Sequence, residues 1–142
     1  MLSTIITQVI GPLYLYITNQ NNYQMKKILI LGAGMAGTVM ANKLSHNLNK
    51  NLWEITIVDK DENHYYQPGF LFIPFGIYKP EEVVKPKREF IPEGVNFILS
   101  EVKKVMPDNN QVLLKDGVIL DYDVLVVATG TVPVPEETEG LK

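Results

Sequence analysis

The most regular feature of the chain is a set of short runs in which every position is apolar except Thr56. These runs cover residues 28–31, 55–58 and 124–128. A strand with one face in water alternates apolar and polar residues, whereas a parallel strand that is buried on both faces is apolar throughout. The three runs therefore predict three parallel strands in the interior of one sheet.

Between the first two runs, apolar residues recur at helical spacing. Met40, Leu44 and Leu48 follow one another at intervals of four, with Val39 and Ala36 beside them. This spacing is typical of one face of an α-helix, so it predicts a helix over residues 35–48 with these side chains buried. A helix between two parallel strands forms a crossover connection.

A different pattern precedes the last apolar run. Residues 95–99 predict a further strand. Residues 102–106 and 111–114 predict the two arms of a hairpin, and a turn at Asp116-Gly117 leads into a third short strand at 118–120. The hairpin and the third short strand together predict a small antiparallel meander placed before the final parallel strand.

The first strand leads directly into a glycine-rich turn. Gly32, Gly34 and Gly37 have the spacing Gly-x-Gly-x-x-Gly, and the second strand ends in Asp59. In such a turn the first glycine permits a tight bend, the second lets a pyrophosphate approach the backbone, and the third lets the helix pack closely on the sheet. The helix N-terminus favours a phosphate, and Asp59 is placed to accept hydrogen bonds from a ribose.

A second turn of small residues, Ala128-Thr129-Gly130, follows the last apolar run. Ligands of doubly wound sheets bind at the carboxyl ends of the strands, where both turns and the strand end at 100–102 are expected to lie. The alternative is a glycine-rich turn in an ordinary α/β domain, with Asp59 as a strand-end turn residue. The predicted fold class is α/β, a Rossmann-like nucleotide-binding domain with a parallel sheet, a helix crossover and a small antiparallel β-meander.

The segment between the second strand and the meander is less regular. Residues 63–78 are rich in aromatic residues, proline and glycine, and are predicted to line a pocket or cover a planar ligand. The alternative is a loop that fills its own domain's core, and His64 within it is interpreted as packed and hydrogen-bonded. Residues 79–92 are charged and contain prolines, so we expect a surface connection, with residues 85–88 as a solvated face.

The two ends of the chain differ from its middle. Residues 1–24 carry no charge and are interpreted as an N-terminal extension, with a peripheral membrane or subunit contact as the alternative. We expect the nucleotide-binding domain to cover residues 25–131. Residues 132–142 are expected to be a Pro/Glu-rich linker to a missing second domain, which would make the fold a truncated one.

Composition narrows the classes of function. The net charge is −3 and the sequence has no basic stripe, so no nucleic-acid partner is expected. The sequence has no cysteine, which excludes disulfides, thiolate metal sites and thiol catalysis within these 142 residues. We find no metal-ligand spacing and no Ser/His/Asp arrangement, so no catalytic or metal-ligating residue is assigned.

The motifs together resemble a known group of enzymes. The sequence is similar to the N-terminal FAD-binding portion of flavoproteins with two dinucleotide-binding domains, and most of all to the sulfide:quinone oxidoreductase family. The stretches that carry this resemblance are KKILILGAGMAG, ITIVDKDENHYYQPGFLFIPFG, KPEEVVKP, FIPEGVNFILSEV and LDYDVLVVATGTVP. The loop HYYQPGFLFIPFG is the most discriminating of them. Type II NADH dehydrogenases have a related loop around a Gln-Pro pair and are the alternative.

The resemblance implies FAD as the cofactor and assigns residues to its parts. Backbone groups of the glycine turn would hold the pyrophosphate, Asp59 the adenosine ribose with Lys60 beside it, and backbone groups of Val102 the adenine. Gln67 and Pro68 would lie against the flavin end. The full set of implied cofactor-binding residues is Gly32, Ala33, Gly34, Met35, Ala36, Gly37, Asp59, Lys60, Gln67, Pro68, Val102, Ala128, Thr129 and Gly130.

The resemblance also implies electron transfer from sulfide to a quinone, in a peripheral membrane or cytoplasmic protein. The redox cysteines of that family have no counterpart here, and the second dinucleotide-binding domain, the segment that completes the flavin site and the membrane-binding tail are missing. We therefore expect weak FAD binding and no sulfide oxidation by these residues alone. Two other readings of the function stay open, a type II NADH:quinone oxidoreductase fragment and a non-catalytic nucleotide-binding or subunit-interaction module. Among partners, a second copy of the chain in a homo-oligomer also stays open.

Overall fold

A computed structural model describes residues 24–131, 134–137 and 139–140. The predictions made for residues 1–23 and for 132, 133, 138, 141 and 142 lie outside these residues. The strands are β1 (Lys26–Leu31), β2 (Trp53–Asp59), β3 (Asn63–Tyr65), β4 (Val84–Pro86), β5 (Val95–Leu99), β6 (Val102–Met106), β7 (Gln111–Leu114), β8 (Ile119–Asp121) and β9 (Val124–Val127). The α-helices are α1 (Met35–Asn47) and α2 (Gln67–Phe70), and 3₁₀ turns cover Pro80–Glu82, Lys87–Phe90, Pro107–Asn109 and Pro135–Glu137.

The apolar runs form the predicted parallel sheet. Its strand order is β5-β2-β1-β9, and all three pairings are parallel. Ile28 in β1 lies opposite Ile55 in β2 and Val124 in β9, so the three runs stand side by side. The sheet, the crossover helix and the α/β class were therefore predicted correctly.

The uninterrupted apolar character of β1 follows from cover on both faces. Ile28 and Ile30 face one way and pack in a cluster with Ala41 of α1. Leu29 and Leu31 face the other way and pack in a second cluster with residues of the meander β6-β7-β8, where Leu114 is fully buried. Alternate side chains of residues 28–31 thus enter two different cores, whereas Lys26 and Lys27 lie at the less buried start of the strand.

The predicted meander is present, and its strands begin and end within one residue of the expected positions. β6 pairs with β7 and β7 with β8, all antiparallel. Asn110 closes the first turn in the left-handed conformation, with a φ of 52°, which asparagine tolerates better than most residues. The meander therefore forms the third layer of the domain.

The prediction of which helix face is buried was correct for Leu44 and Leu48 and wrong for Ala36, Val39 and Met40. Met40 is 39% exposed and Val39 45%, and the buried positions of α1 are Gly37 and Ala41. Small residues let the helix backbone lie close to the sheet, so large side chains at this crossing would hold the two elements apart. Of the predicted apolar face, only Leu44 and Leu48 pack against the core.

The segment after β2 is more ordered than its sequence indicated. Residues 63–65 and 84–86 pair as an antiparallel ribbon, β3 with β4, instead of forming a plain surface connection. The expectation that residues 85–88 form a solvated face was wrong at Lys87, which is only 7% exposed. The core-filling alternative for the aromatic loop is also wrong, since Leu71 and Phe75 are more than 70% exposed at 72% and 78%.

Candidate nucleotide-binding site

The glycine turn begins with a bend that requires glycine. The Gly32 N–H donates to the Val58 carbonyl oxygen at 2.7 Å, and Gly32 has a φ of +98°. A Cβ atom at this position would also overlap with the carbonyl oxygen of Ala128, the first residue of the second small-residue turn. The two turns that the sequence singled out therefore touch each other at the carboxyl edge of the sheet.

Gly37 provides the close contact between helix and turn. A Cβ atom on Gly37 would overlap with the carbonyl oxygen of Gly32 and approach the side chain of Ile30. Because both obstacles belong to the strand and its turn, the helix could accept a side chain here only by moving away from the sheet. The third glycine of the motif is thus required by packing.

Gly34 has the opposite environment, because a Cβ atom there would meet no atom within 4 Å. It caps the N-terminus of α1, whose first internal bond is from the Thr38 N–H to the Gly34 carbonyl oxygen at 2.9 Å. Within the described ranges, the N–H groups of Gly34, Met35 and Ala36 have no hydrogen-bond partner. Open space beside free N–H groups at a helix N-terminus fits a phosphate group.

Asp59 ends β2 behind this turn and is tightly held. One carboxylate oxygen, Oδ2, accepts from the Ala33 N–H at 2.6 Å. The other, Oδ1, accepts from the Asp61 N–H at 2.9 Å and contacts the Lys87 ammonium at 2.9 Å. The N–H of Ala33 is thus engaged, as is that of Gly32, which leaves the N–H groups from Gly34 onwards as the donors open to a phosphate.

The same contacts keep Asp59 ionised. Burial raises the pKa of Asp59, but the hydrogen bonds from the Asp61 N–H, the Lys87 ammonium and the Ala33 N–H, with the charge of Lys87, outweigh it. The pKa of Asp59 therefore lies below its ordinary value of 3.8.

This pKa shift predicts a loss of stability in acid. Since the folded protein holds the Asp59 proton less tightly than the unfolded chain does, the contribution of Asp59 is present above pH 3.8 and is lost as the pH falls through the lower folded value. Between about pH 6 and about pH 3, the urea midpoint of the wild-type chain should fall as the pH is lowered. The fall should be smaller in Asp59→Asn. An equal acid slope in the variant would contradict the assignment.

Two cavities flank the glycine turn. The first, here called the strand-end cavity, has a volume of about 350 Å³ and lies at the ends of β1, β2, β5 and β9. It is lined by Gly32, Val58, Asp59, Lys60, Ser100, Glu101, Val102, Thr129 and Gly130. The second, here called the loop cavity, has a volume of about 320 Å³ and is lined by Gly34, Met35, Asp61, Asn63, His64, Tyr65, Tyr66, Gln67, Pro68 and Lys87.

Most of the predicted site residues line one of these cavities. The strand-end cavity collects Gly32, Asp59, Lys60, Val102, Thr129 and Gly130, and the loop cavity collects Gly34, Met35, Gln67 and Pro68. Ala33 is fully buried behind the turn, Gly37 is buried within the first turn of α1, and Ala128 packs against the helix-side core. Ala36 lies exposed on the first turn of α1.

Sequence reasoning missed Lys87 as a member of this site. Its partner Asp59 is distant in sequence, and the surrounding stretch of lysine, arginine and proline gave no indication of burial. The aromatic stretch did indicate a pocket, and Tyr65 and Tyr66 do line the loop cavity. Long-range pairing of a buried charge leaves no periodic pattern that a single sequence can reveal.

Comparison with known proteins bears directly on this geometry. The family model described as pyridine nucleotide-disulphide oxidoreductase matches residues 26–142. The chain belongs to this family. Pyridine nucleotide-disulphide oxidoreductases of this kind bind FAD, so the prediction of FAD as the cofactor is confirmed at the level of the family.

Relatives within the pyridine nucleotide-disulphide oxidoreductases are much longer than this chain. The mitochondrial sulfide:quinone oxidoreductase of Dictyostelium discoideum is 40% identical over 116 residues, which are 82% of this chain and 25% of that protein. A type II NADH:quinone oxidoreductase of Staphylococcus aureus is 36% identical over 118 residues, or 82% of this chain and 29% of that protein. The chain thus spans between a quarter and a third of these relatives.

A solved structure gives the same correspondence. The sulfide:quinone oxidoreductase of the hyperthermophilic bacterium Aquifex aeolicus superposes with a TM-score of 0.66 and 26% identity, over 77% of this chain and 25% of that one. The predicted resemblance to the N-terminal portion of sulfide:quinone oxidoreductases is therefore confirmed. Quinone is part of the name of both curated relatives. None of the helices in the described ranges has the length and apolar character that crossing a bilayer requires.

Proposed function

We propose that this chain is the FAD-binding part of a flavoprotein oxidoreductase that passes electrons from sulfide to a quinone. The observation that carries the proposal is the strand-end cavity, where the ends of β1, β2 and β9 and the start of β6 bring a glycine turn, a carboxylate and a small-residue turn together. The 40% identity to a sulfide:quinone oxidoreductase supports sulfide as the electron donor. The quinone acceptor further supports peripheral attachment of the whole protein to a membrane.

Each part of the site has a distinct role in this proposal. The free N–H groups of Gly34, Met35 and Ala36 hold the pyrophosphate, with Gly32, Ala33 and Gly37 shaping the turn that aims them. Asp59 accepts a hydrogen bond from the adenosine ribose, and Lys60 lines the cavity beside it. The backbone of Val102 faces the adenine, and the turn Ala128-Thr129-Gly130 closes the cavity.

The flavin end of FAD belongs to the loop cavity in this proposal. Gln67 and Pro68 line that cavity together with Tyr65 and Tyr66, so aromatic side chains are available beside a planar ring. FAD supplies the two-electron acceptor chemistry when it is bound. The residues of this chain bind the cofactor, orient it and place aromatic cover near one of its ends.

A second candidate keeps the cofactor and changes the electron donor to NADH. The 36% identity to a type II NADH:quinone oxidoreductase over the same share of this chain supports it. Both candidates use the strand-end cavity in the same way. Sequencing of the gene beyond residue 142 separates them, since cysteines in that region would favour the first candidate and a second Gly-x-Gly-x-x-Gly motif would favour the second.

The proposed cofactor site predicts a particular pattern of competition. Titration of FAD with the purified chain, monitored by flavin fluorescence, should show saturable but weak binding with a Kd above about 1 μM. ADP should displace the FAD, because the strand-end cavity and the glycine turn recognise the ADP part. Riboflavin should not displace it at comparable concentration, because riboflavin lacks the phosphates and the adenosine that the turn and the Asp59 carboxylate would contact.

Two outcomes would contradict the proposal. Displacement by riboflavin and not by ADP would place recognition in the loop cavity alone. A complete absence of binding by both FAD and ADP to the folded chain would remove the nucleotide site itself. Folding is checked independently by the urea midpoint of the same preparation.

A further inference from the structure

Lys87 is a buried cation in an unusual position. It begins the 3₁₀ turn Lys87–Phe90 immediately after β4, and it is the buried charged residue of the described ranges, at 7% exposure. Its backbone N–H donates to the Glu62 carbonyl oxygen at 2.8 Å, which fixes the start of the side chain. Its ammonium then reaches Asp59 Oδ1 at 2.9 Å. A buried ammonium is costly unless it is paired, so this pairing has to be maintained for the fold to be stable.

The Lys87–Asp59 ion pair forms part of the wall between the two cavities. Lys87 lines the loop cavity, and Asp59 lines the strand-end cavity. The side chains are 8% and 13% exposed, so water screens their attraction less than it would screen a surface pair. Lys60 also lines the strand-end cavity, but it is exposed and makes no hydrogen bond or ion pair with Asp59 in the described part of the chain.

The hydrogen bonds of Asp59 leave room for one further donor. An ionised carboxylate has about four lone-pair positions, two on each oxygen. Oδ1 already receives the Asp61 N–H and the Lys87 ammonium, while Oδ2 receives only the Ala33 N–H. One acceptor position therefore remains, and it is on Oδ2.

We propose that Lys87 is a positioning residue of the nucleotide site, which holds Asp59 so that Oδ2 accepts a hydrogen bond from one ribose hydroxyl. This inference rests on the proposed binding of an adenine nucleotide in the strand-end cavity. In this proposal Lys87 makes no contact with the ADP part of the cofactor. Lys87 acts by saturating Oδ1, which prevents rotation of the Asp59 carboxylate and keeps that carboxylate ionised. Oδ2 then stays beside the glycine turn, where it accepts from the Ala33 N–H.

Without the ammonium, the Asp59 carboxylate would keep its two backbone donors but lose its charge partner. A partly buried carboxylate with fewer donors is free to rotate toward water, and its fixed acceptor position for the ribose is then lost. The inference therefore predicts a change in ribose discrimination, beyond any change in stability. Recognition of the phosphates depends on the glycine turn and should be retained.

The test uses the whole chain and three nucleotides: ADP, 2′-deoxy-ADP and 3′-deoxy-ADP, titrated by calorimetry. In the wild-type chain, one of the two deoxy nucleotides should bind about tenfold more weakly than ADP, the size expected for one hydrogen bond to a charged group, and the other should bind nearly as well as ADP. The ratio of the Kd of that weaker deoxy nucleotide to the Kd of ADP should fall below about threefold in Lys87→Met. Lys87→Arg, which has space in the adjoining loop cavity, should restore most of the ratio.

Lys85→Met is the matched control, since Lys85 is exposed and lies two residues earlier in β4. It should leave the ratio at its wild-type value. A ratio in Lys87→Met that is unchanged or larger overturns the positioning role. If Lys87→Met does not fold, the wild-type titrations still decide, because equal weakening of both deoxy nucleotides, or of neither, contradicts the single-hydroxyl geometry. Failure of the wild type to bind ADP would instead overturn the proposed function.

Discussion

Gly37→Ala is expected to destabilise the folded chain by about 2–3 kcal/mol, the upper part of the range for added volume in a packed core. Alanine is normally the better helix former, by about 0.8–1.0 kcal/mol, so propensity alone predicts the opposite sign. The reason is steric, since the new methyl group would overlap with the Gly32 carbonyl oxygen. That oxygen belongs to a turn held by the bond from the Gly32 N–H to Val58, so it cannot yield cheaply. Urea unfolding measures the effect.

The matched control is Gly34→Ala, the same substitution three residues earlier. Gly34 has a φ of −75° and open space around its Cβ position, so alanine there should cost about 1 kcal/mol or less, the usual penalty at an N-cap. The open space is where the proposed phosphate approaches the backbone. Gly34→Ala should therefore lower ADP affinity while stability is largely kept. Equal destabilisation by the two substitutions would contradict the distinct roles assigned to these glycines.

Asp59→Asn is expected to have the other large effect, a loss of about 2–3 kcal/mol in the free energy of unfolding. Removing one member of a buried ion pair leaves the remaining charge unpaired, which costs about 3–5 kcal/mol when burial is complete, and slight exposure of both side chains reduces it here. The amide also places an N–H₂ group where an oxygen accepts from Ala33 or Lys87. Urea unfolding at neutral pH measures the loss.

Glu101→Gln is the corresponding control at an exposed ion pair. Glu101 and Lys115 lie 2.7 Å apart, but their side chains are 48% and 71% exposed. Exposed pairs are screened by water and constrain long flexible side chains, so this substitution should not change the urea midpoint measurably. If Glu101→Gln and Asp59→Asn were equally destabilising, burial would not be the cause of the Asp59 effect.

The layered fold was largely predictable from the sequence because its elements carry strong local patterns. The run at 28–31 contains no polar residue and the run at 55–58 only Thr56, and a parallel strand between two covered faces is the structure that favours such runs. The turn residues of the meander fixed its hairpins in the same local way. The roles of the motif glycines were predictable because their spacing is typical of a turn with no room for side chains. In the structure, a Cβ atom at Gly32 or Gly37 would overlap with backbone atoms.

The features that could not be predicted depend on contacts between distant parts of the chain. The helix presents Gly37 and Ala41 to the sheet, although Met40 and Val39 are more apolar, because close packing at the crossing selects small residues over large ones. Lys87 is buried because its ammonium pairs with the Asp59 carboxylate at the end of β2. Neither preference appears in the hydrophobicity of the residues concerned.

The sequence predicted that the candidate site lies at the carboxyl edge of the sheet and contains the motif glycines. The hydrogen bonds and the ion pair that connect the site residues were seen only in the structure. The sequence assigned Asp59 to a ribose, and the structure adds that most of its acceptor capacity is already engaged by Ala33, Asp61 and Lys87. The same carboxylate therefore stabilises the fold and, in our proposal, recognises the nucleotide. Variants at Asp59 will change both properties, which is why Gly34 is the better position for separating them.

The central claim is that an adenine nucleotide binds at the carboxyl edge of the sheet, between the glycine turn and the strand-end cavity. The most direct measurement is an amide NMR titration of the isotopically labelled chain with ADP. The account predicts saturable shifts at Gly34, Met35, Val102 and Gly130, with little change at Gly94, near the opposite edge of the sheet. Shifts confined to that opposite edge, or no shifts at any ADP concentration, would contradict it.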